Sequence, residues 1–227
     1  MLIGDKTDDN TLRRGGFMAR NGSNKGSRIK DYLVKIFNGM ALGLFSSLLI
    51  GLIIKQLGTL FKIPLMVEFG TVAQMLMGPA IGAGVAYSVG APPLGIFASV
   101  ITGAIGAGTI SLEGGTTIIK VGEPVGAFVA GLLGAEFSKL IKGKTDVDIV
   151  LVPLSTILVG GLAGHYIGPA VSSFMNLIGN IINLATELQP IPMGIIVSVL
   201  MGIALTLPIS SAALAISLGL SGLAAGA

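Results

Sequence analysis

Residues 149–170 read IVLVPLSTILVGGLAGHYIGPA. The run holds no Asp, Glu, Lys or Arg, and a helix of this length at 1.5 Å per residue covers the roughly 30 Å of a bilayer's hydrocarbon core. It does not stand alone. From Ile149 to Ala227 there is no basic residue, and the one acid is Glu187. A soluble domain needs a charged surface, commonly about a quarter of its residues. Here 11% of residues are charged and 52% apolar, with a mean hydropathy of +0.89. The composition excludes a soluble domain over most of the length and predicts an all-α polytopic membrane protein.

Working outward, apolar runs predict six spans: Val34–Ile54, Leu65–Tyr87, Pro93–Ile110, Pro124–Ile141, Ile149–Ile167 and Met193–Leu207. A final Ala/Gly-rich stretch, Ser210–Ala227, reads as a partial or re-entrant segment, so the domain is expected to be C-terminally incomplete. Between the last two spans, Asn176, Asn180 and Asn183 recur at helical spacing among Phe174, Leu177, Ile178 and Ile181, which predicts an amphipathic helix over Val171–Leu188 at the membrane interface. Glycine, 35 of 227 residues, lies among aliphatic residues and predicts close helix–helix packing, with Gly160, Gly164 and Gly168 on one face.

Residues 1–30 are polar and are expected to be a disordered cytoplasmic tail, leaving 31–227 as the transmembrane domain. Eight of the fourteen basic residues lie before or at the very start of the first span, the last of them Lys35, and Lys139, Lys142 and Lys144 flank the loop after the fourth. The positive-inside rule puts both clusters in the cytoplasm, with Lys55 and Lys62 facing outward as a mild violation.

An internal repeat organises the spans. Pro93–Gly103 (PLGIFASVITG) and Pro192–Gly202 (PMGIIVSVLMG) share six of eleven residues at an offset of 99, and Gly78-Pro79-Ala80 echoes Gly168-Pro169-Ala170. The second and third spans then correspond to the fifth and sixth, giving units of about 34–123 and 124–227. Three spans per unit invert the second copy relative to the first, an arrangement typical of secondary transporters with a midplane site. Each matched span is followed by a polar break, Thr109–Thr117 and Thr206–Ser211. Non-helical backbone at membrane depth is tolerated where it lines a cavity, so the two breaks are expected to form two halves of one solute cavity.

Candidate solute-binding residues are therefore Ser111 and Glu113 in the first break, Ser210 and Ser211 in the second, Glu123 before Pro124, and His165. Glu123 has a competing reading as a helix cap, because an acid before a helix-opening proline complements the helix dipole. His165, beside Tyr166, reads first as a hydrogen-bonded interface residue, with sugar or proton binding as the alternative. The chain has no Cys and one His, which excludes thiolate chemistry and His-rich metal sites. It has no phosphate-binding loop. Catalytic residues, a metal, a cofactor and direct nucleic-acid binding are not expected.

The run KDYLVKIFNGMALGLFSS over 30–47 and the turn Gly78-Pro79-Ala80-Ile81-Gly82 resemble the EIIC-type membrane proteins of the bacterial phosphotransferase system, in particular the branch grouped with the perfringolysin O regulator. The resemblance covers about residues 30–227. It implies a permease component in the bacterial cell membrane for a sugar or related small solute, with phosphorylation by separate A and B components and assembly as a homo-oligomer. The regulator branch implies an alternative, a membrane sensor that binds a ligand without moving it. In EIIC families a Glu in a Gly-x-x-Glu-Pro motif contributes to sugar binding. Gly122-Glu123-Pro124 keeps Gly-Glu-Pro with one residue fewer.

Overall fold

The computed structural model describes residues 25–113, 116–145, 147–186 and the isolated positions 195, 198 and 199. The chain divides into two compact units, Met1–Leu33 and Val34–Ala227. Of the first, the described part is helical. The expected tail lies outside the described residues except for 25–30, which belong to helix α1 (Lys25–Leu44).

The second unit carries the fold. A π-helical turn, Phe45–Leu49, joins α1 to α2 (Ile50–Leu60). Ser46 and Ser47 both donate their hydroxyls to the Gly43 carbonyl, at 3.1 and 2.6 Å. Such back-bonding competes with the helix ladder and accommodates the wider turn. The helix then reverses at Lys62 into α3 (Pro64–Met75) and α4 (Met77–Ser88), which meet at a bend of 53°. Pro79 explains the bend. It has no N–H to give Met75, and its ring crowds that carbonyl.

Glycines show how the bent pair returns. A Cβ on Gly39 would meet the Gly84 carbonyl, one on Gly43 the Ala80 carbonyl, one on Gly51 the Gly70 carbonyl, and one on Gly58 the Val67 amide. The partner falls steadily as the first number rises. Thus α3 and α4 run antiparallel to the first helix from Gly58 back to Gly39, about 29 Å at 1.5 Å per residue.

Helix α5 (Pro93–Ala107) opens on Pro93 and stops at Gly108. At about 22 Å it is shorter than the predicted span to Ile110 and shorter than the hydrocarbon core. It leads into an antiparallel hairpin, β1 (Ile110–Glu113) and β2 (Thr116–Ile119), with Ile110 opposite Ile119 and Glu113 opposite Thr116. The expectation of a purely α-helical chain is corrected here. Thr and Ile on either side of Gly114-Gly115 give the β-branched flanks and glycine pair that a tight hairpin favours.

Helix α6 (Pro124–Ile141) follows, then a short loop and α7 (Asp148–Thr186). The loop is tied down by Asp148, which accepts from the Gly143 amide and, at 3.0 Å, from the Thr145 hydroxyl. Helix α7 corrects a second expectation. It continues through Pro153 and Pro169 to Thr186, so the predicted fifth span and amphipathic helix are one element without a break at Ile167. The sixth span and the final segment lie outside the described residues.

Among the described residues, Arg28–Leu60, Pro124–Ile141 and Asp148–Ala170 are long and apolar enough to cross a membrane, and the bent α3–α4 pair makes up to four spans. Helices α4, α5 and α6 pack on one another, and α7 packs on α5 and α6. The core joins Ile36, Met40, Leu44 and Leu48 to Met77, Ile81 and Val85 of α4 and Ala127 and Phe128 of α6. Phe37 stacks on Phe128 with ring centroids 5.4 Å apart.

Candidate functional site

The site is built around the place where α5 stops. Gly108 takes φ +63°, where a side chain would be strained. Its amide bonds the Ile105 carbonyl, and the Thr109 amide bonds the Ala104 carbonyl, both at 3.0 Å. This paired ending satisfies the last carbonyls of the helix and turns the chain sharply. The hairpin that follows is clamped at its base. Lys120 donates its amide to the Thr109 carbonyl at 3.0 Å, and Glu123 donates to the Ala107 carbonyl at 2.9 Å.

Helix α7 comes alongside this turn through its glycine row. A Cβ on Gly160 would press on the Thr102 side chain and the Ala130 carbonyl, one on Gly164 would press on Gly106, and one on Gly168 would come to 3.2 Å of the Gly106 carbonyl. The row thus brings α7 against α5 and α6, as its spacing predicts.

Between these elements lies a cleft of about 530 Å³. Ile105–Gly108 (except for the side-chain-free glycines, all small or aliphatic) and Ile110 form one wall. Gly164, His165, Gly168 and Pro169 form the other. His165 is the one ionisable residue of the lining, and its ring meets Tyr166 edge-on, with centroids 5.2 Å apart. Pro169 adds a second polar feature. It lacks the N–H that would bond the carbonyl four residues back, so the His165 carbonyl loses its helical donor. An imidazole and a backbone acceptor therefore come from the same residue at the cleft wall.

The other sequence candidates fall at different distances from this cleft. Ser111 and Glu113 lie on β1, paired with Ile118 and Thr116, directly after the lining residue Ile110. Glu123 is outside the lining and caps α6, accepting from the Val125 amide at 3.0 Å and the Gly126 amide at 2.5 Å. That geometry matches the cap reading, since those amides have no partner within the helix. Its own amide still ties it to Ala107 in the cleft wall. Ser210 and Ser211 lie outside the described residues. Among the described residues no group of three His, Asp or Glu side chains could hold a metal ion.

Sequence reasoning missed Thr109. It is 2% exposed, its hydroxyl has no hydrogen-bond partner among the described residues, and it sits where Cβ atoms on Gly78 or Gly122 would reach it at 2.8 Å. Its position on the turn after Ala107 depends on the left-handed Gly108, and a glycine in a glycine-rich helix gives no such signal.

A family model described as phosphotransferase system, EIIC, matches residues 34–227. The chain belongs to that EIIC family. It is a multi-pass cell-membrane protein and a sugar-transport component of the phosphotransferase system. The match begins where the second compact unit begins. Neither the curated proteins nor the solved structures contain a match to this EIIC chain. Within the EIIC region, the Gly122-Glu123-Pro124 turn ties α6 to the end of α5 and so adjoins the cleft wall.

Proposed function

We propose that this EIIC protein takes up a sugar or related small uncharged solute through the cleft between α5 and α7, and that separate A and B components phosphorylate the solute. The observation that carries the reading is the meeting of the first polar break with His165. The cleft offers flat glycine and isoleucine surface with one imidazole and one backbone acceptor, which suits an uncharged ring bearing hydroxyls. Glu123 contributes from the α6 turn. A carboxylate accepts hydrogen bonds on both oxygens, and Glu123 would receive a solute hydroxyl there. Ser111 and Glu113 would reach the solute from the hairpin, and Ser210 and Ser211 from the second break.

The same proposal includes two inverted units and six spans, residues 34–123 and 124–227, after a cytoplasmic tail over 1–30. The positions shared by the two copies support it. Gly95, Ser99 and Gly103 are identical to Gly194, Ser198 and Gly202. In α5 they are where neighbours come closest: a Cβ on Gly95 would meet Ser138, and Gly82 abuts the Ser99 carbonyl and Gly103. A shared packing stripe is a stronger reason for a repeat than shared hydrophobicity. The run over 30–47 supports the perfringolysin O regulator branch, and assembly as a homo-oligomer completes the proposal.

Uptake into proteoliposomes, with and without a phosphorylated B component, tests the function. Uptake is expected only with the phosphorylated partner. His165→Ala should weaken solute binding about tenfold, the equivalent of one good hydrogen bond to a buried acceptor or donor. Unchanged binding in both His165→Ala and Gly168→Leu proteins that remain folded would move the solute site elsewhere.

A further inference from the structure

From Ile36 to Leu112 the only charged residues are Lys55, Lys62 and Glu68. All three fall on one helical hairpin, α2 and α3. The uncharged stretch from Ile36 to Ile54 is about 28 Å of helix, close to the hydrocarbon thickness. Lys55 therefore lies near the membrane interface opposite Lys35, and the turn over Leu60–Ile63 follows it at that interface.

A turn at that level facing water would be polar. This one is not. Leu60 is 72% exposed and Phe61 65%, with Ile63 and Leu65 exposed beside them. At its apex stands Lys62, with φ +55°. Its amide bonds the Thr59 carbonyl at 3.3 Å, and the Ile63 amide bonds the Gly58 carbonyl at 2.8 Å. That is the helix ending whose left-handed position glycine ordinarily occupies. The chain instead holds a lysine there, flanked on both sides by bare apolar side chains. The stem of Lys55 lies against α3, where Gly70 leaves room for it. Among the described residues neither lysine forms an ion pair, and Glu68 is exposed.

We propose that the α2–α3 turn is a lipid-headgroup clamp that prefers anionic phospholipid. Leu60, Phe61 and Ile63 enter the acyl boundary, as apolar residues of interfacial segments do. Lys62 and Lys55 extend their amines to lipid phosphates from either side of the turn. Two unpaired cations against one acid select anionic over zwitterionic headgroups. The clamp fixes the end of the first helix hairpin, from which the bent α3–α4 span returns.

The chain has no tryptophan, so Phe61→Trp introduces a single fluorophore at the apex. The full chain carrying this change is reconstituted in phosphatidylcholine vesicles with and without phosphatidylglycerol. The expected result is blue-shifted emission, quenched by brominated acyl chains and not by aqueous iodide. Quenching by brominated phosphatidylglycerol should exceed that by brominated phosphatidylcholine about threefold at equal mole fraction, and Lys55→Gln with Lys62→Gln should abolish the difference. Leu60→Trp provides a second reporter if the first perturbs folding. Iodide quenching, shielding from both quenchers as in a contact between protein copies, or equal quenching by the two lipids would each overturn the proposal.

Discussion

Gly82 and Gly161 are the same residue in the same kind of apolar helix, yet they do opposite things. A Cβ on Gly82, in α4, would strike the Ser99 carbonyl and Gly103 of α5, and one on Gly131 of α6 would come to 2.9 Å of the Gly82 Cα. A Cβ there has nowhere to go. Gly161, in α7, faces only the Cδ1 atom of Ile105, at 3.4 Å. The α4–α5–α6 seam is shut to the last methyl group, whereas α7 leaves room for one at Gly161. Without a hydrophobic driving force between helices in lipid, such backbone-to-backbone contact is a main source of cohesion. A sugar-transport component needs both: a body that moves as a unit and a wall that accommodates a solute.

The largest effect should come from the seam. Gly82→Ala and Gly106→Ala each place a methyl on a neighbouring backbone carbonyl, Ser99 in one case and Gly126 in the other. Backbone must shift to admit it, and overpacking of this kind costs about 1–3 kcal/mol or more. Thermal unfolding in detergent measures it. A loss below about 0.5 kcal/mol for both would dissolve the distinction between sealed and slack regions.

Next in size is Glu123, which holds α6 to the seam. Glu123→Ala removes a cap that accepts two amides, and caps of this type contribute about 1 kcal/mol. Glu123→Gln retains an acceptor and should recover part of that stability. The pair of variants also separates two roles. If Glu123 only caps the helix, solute affinity follows stability across both. If it also receives a solute hydroxyl, Glu123→Gln loses affinity while staying near the parent in unfolding temperature.

Much of this organisation was legible in the sequence, and the failures have physical causes. The near-absence of charge over Ile149–Ala227, where Glu187 is the one acid and Lys and Arg are missing, dictates the membrane class, and the Gly160/Gly164/Gly168 row announces the face on which α7 packs. Composition says where a chain must avoid water. It does not say where a helix bends or stops. Pro79 and Pro169 both stand in apolar runs after a glycine, but the chain bends between α3 and α4 just before the first, and α7 continues as one helix past the second. The end of α5 hangs on Gly108, one glycine among many, and the hairpin reads in the sequence only as a polar, glycine-rich break because its four-residue strands are too short to show a pattern of their own. Of the site, His165 was found by its chemistry and adjoins the cleft. Glu123 was found by motif and proves to be a cap beside the wall. Thr109 carries no sequence signal at all.

Thr109 gives a smaller test of how tightly the seam closes. Its hydroxyl is buried beside Gly78 and Gly122 without a hydrogen-bond partner among the described residues. Valine has the same shape and no polar atom to desolvate, so Thr109→Val should raise stability by up to about 1 kcal/mol. A clear loss in unfolding temperature would mean that the hydroxyl is satisfied by hydration within the seam, which would then be less dry than its glycine contacts indicate.

The smallest expected change is the most discriminating, because it is a gain. Gly161→Ala adds a methyl that meets a flexible isoleucine end at ordinary van der Waals distance. Alanine is the better helix former by about 1 kcal/mol, and part of that difference should appear as higher stability, with solute uptake unaltered because Gly161 does not line the cleft. The same substitution at Gly82 changes the same atoms in the same kind of helix and should do the reverse. Opposite signs for one chemical change would establish that glycine marks contact on one face of this bundle and room on the other. Equal losses at both positions would mean that α7 is held as tightly at Gly161 as the seam is at Gly82.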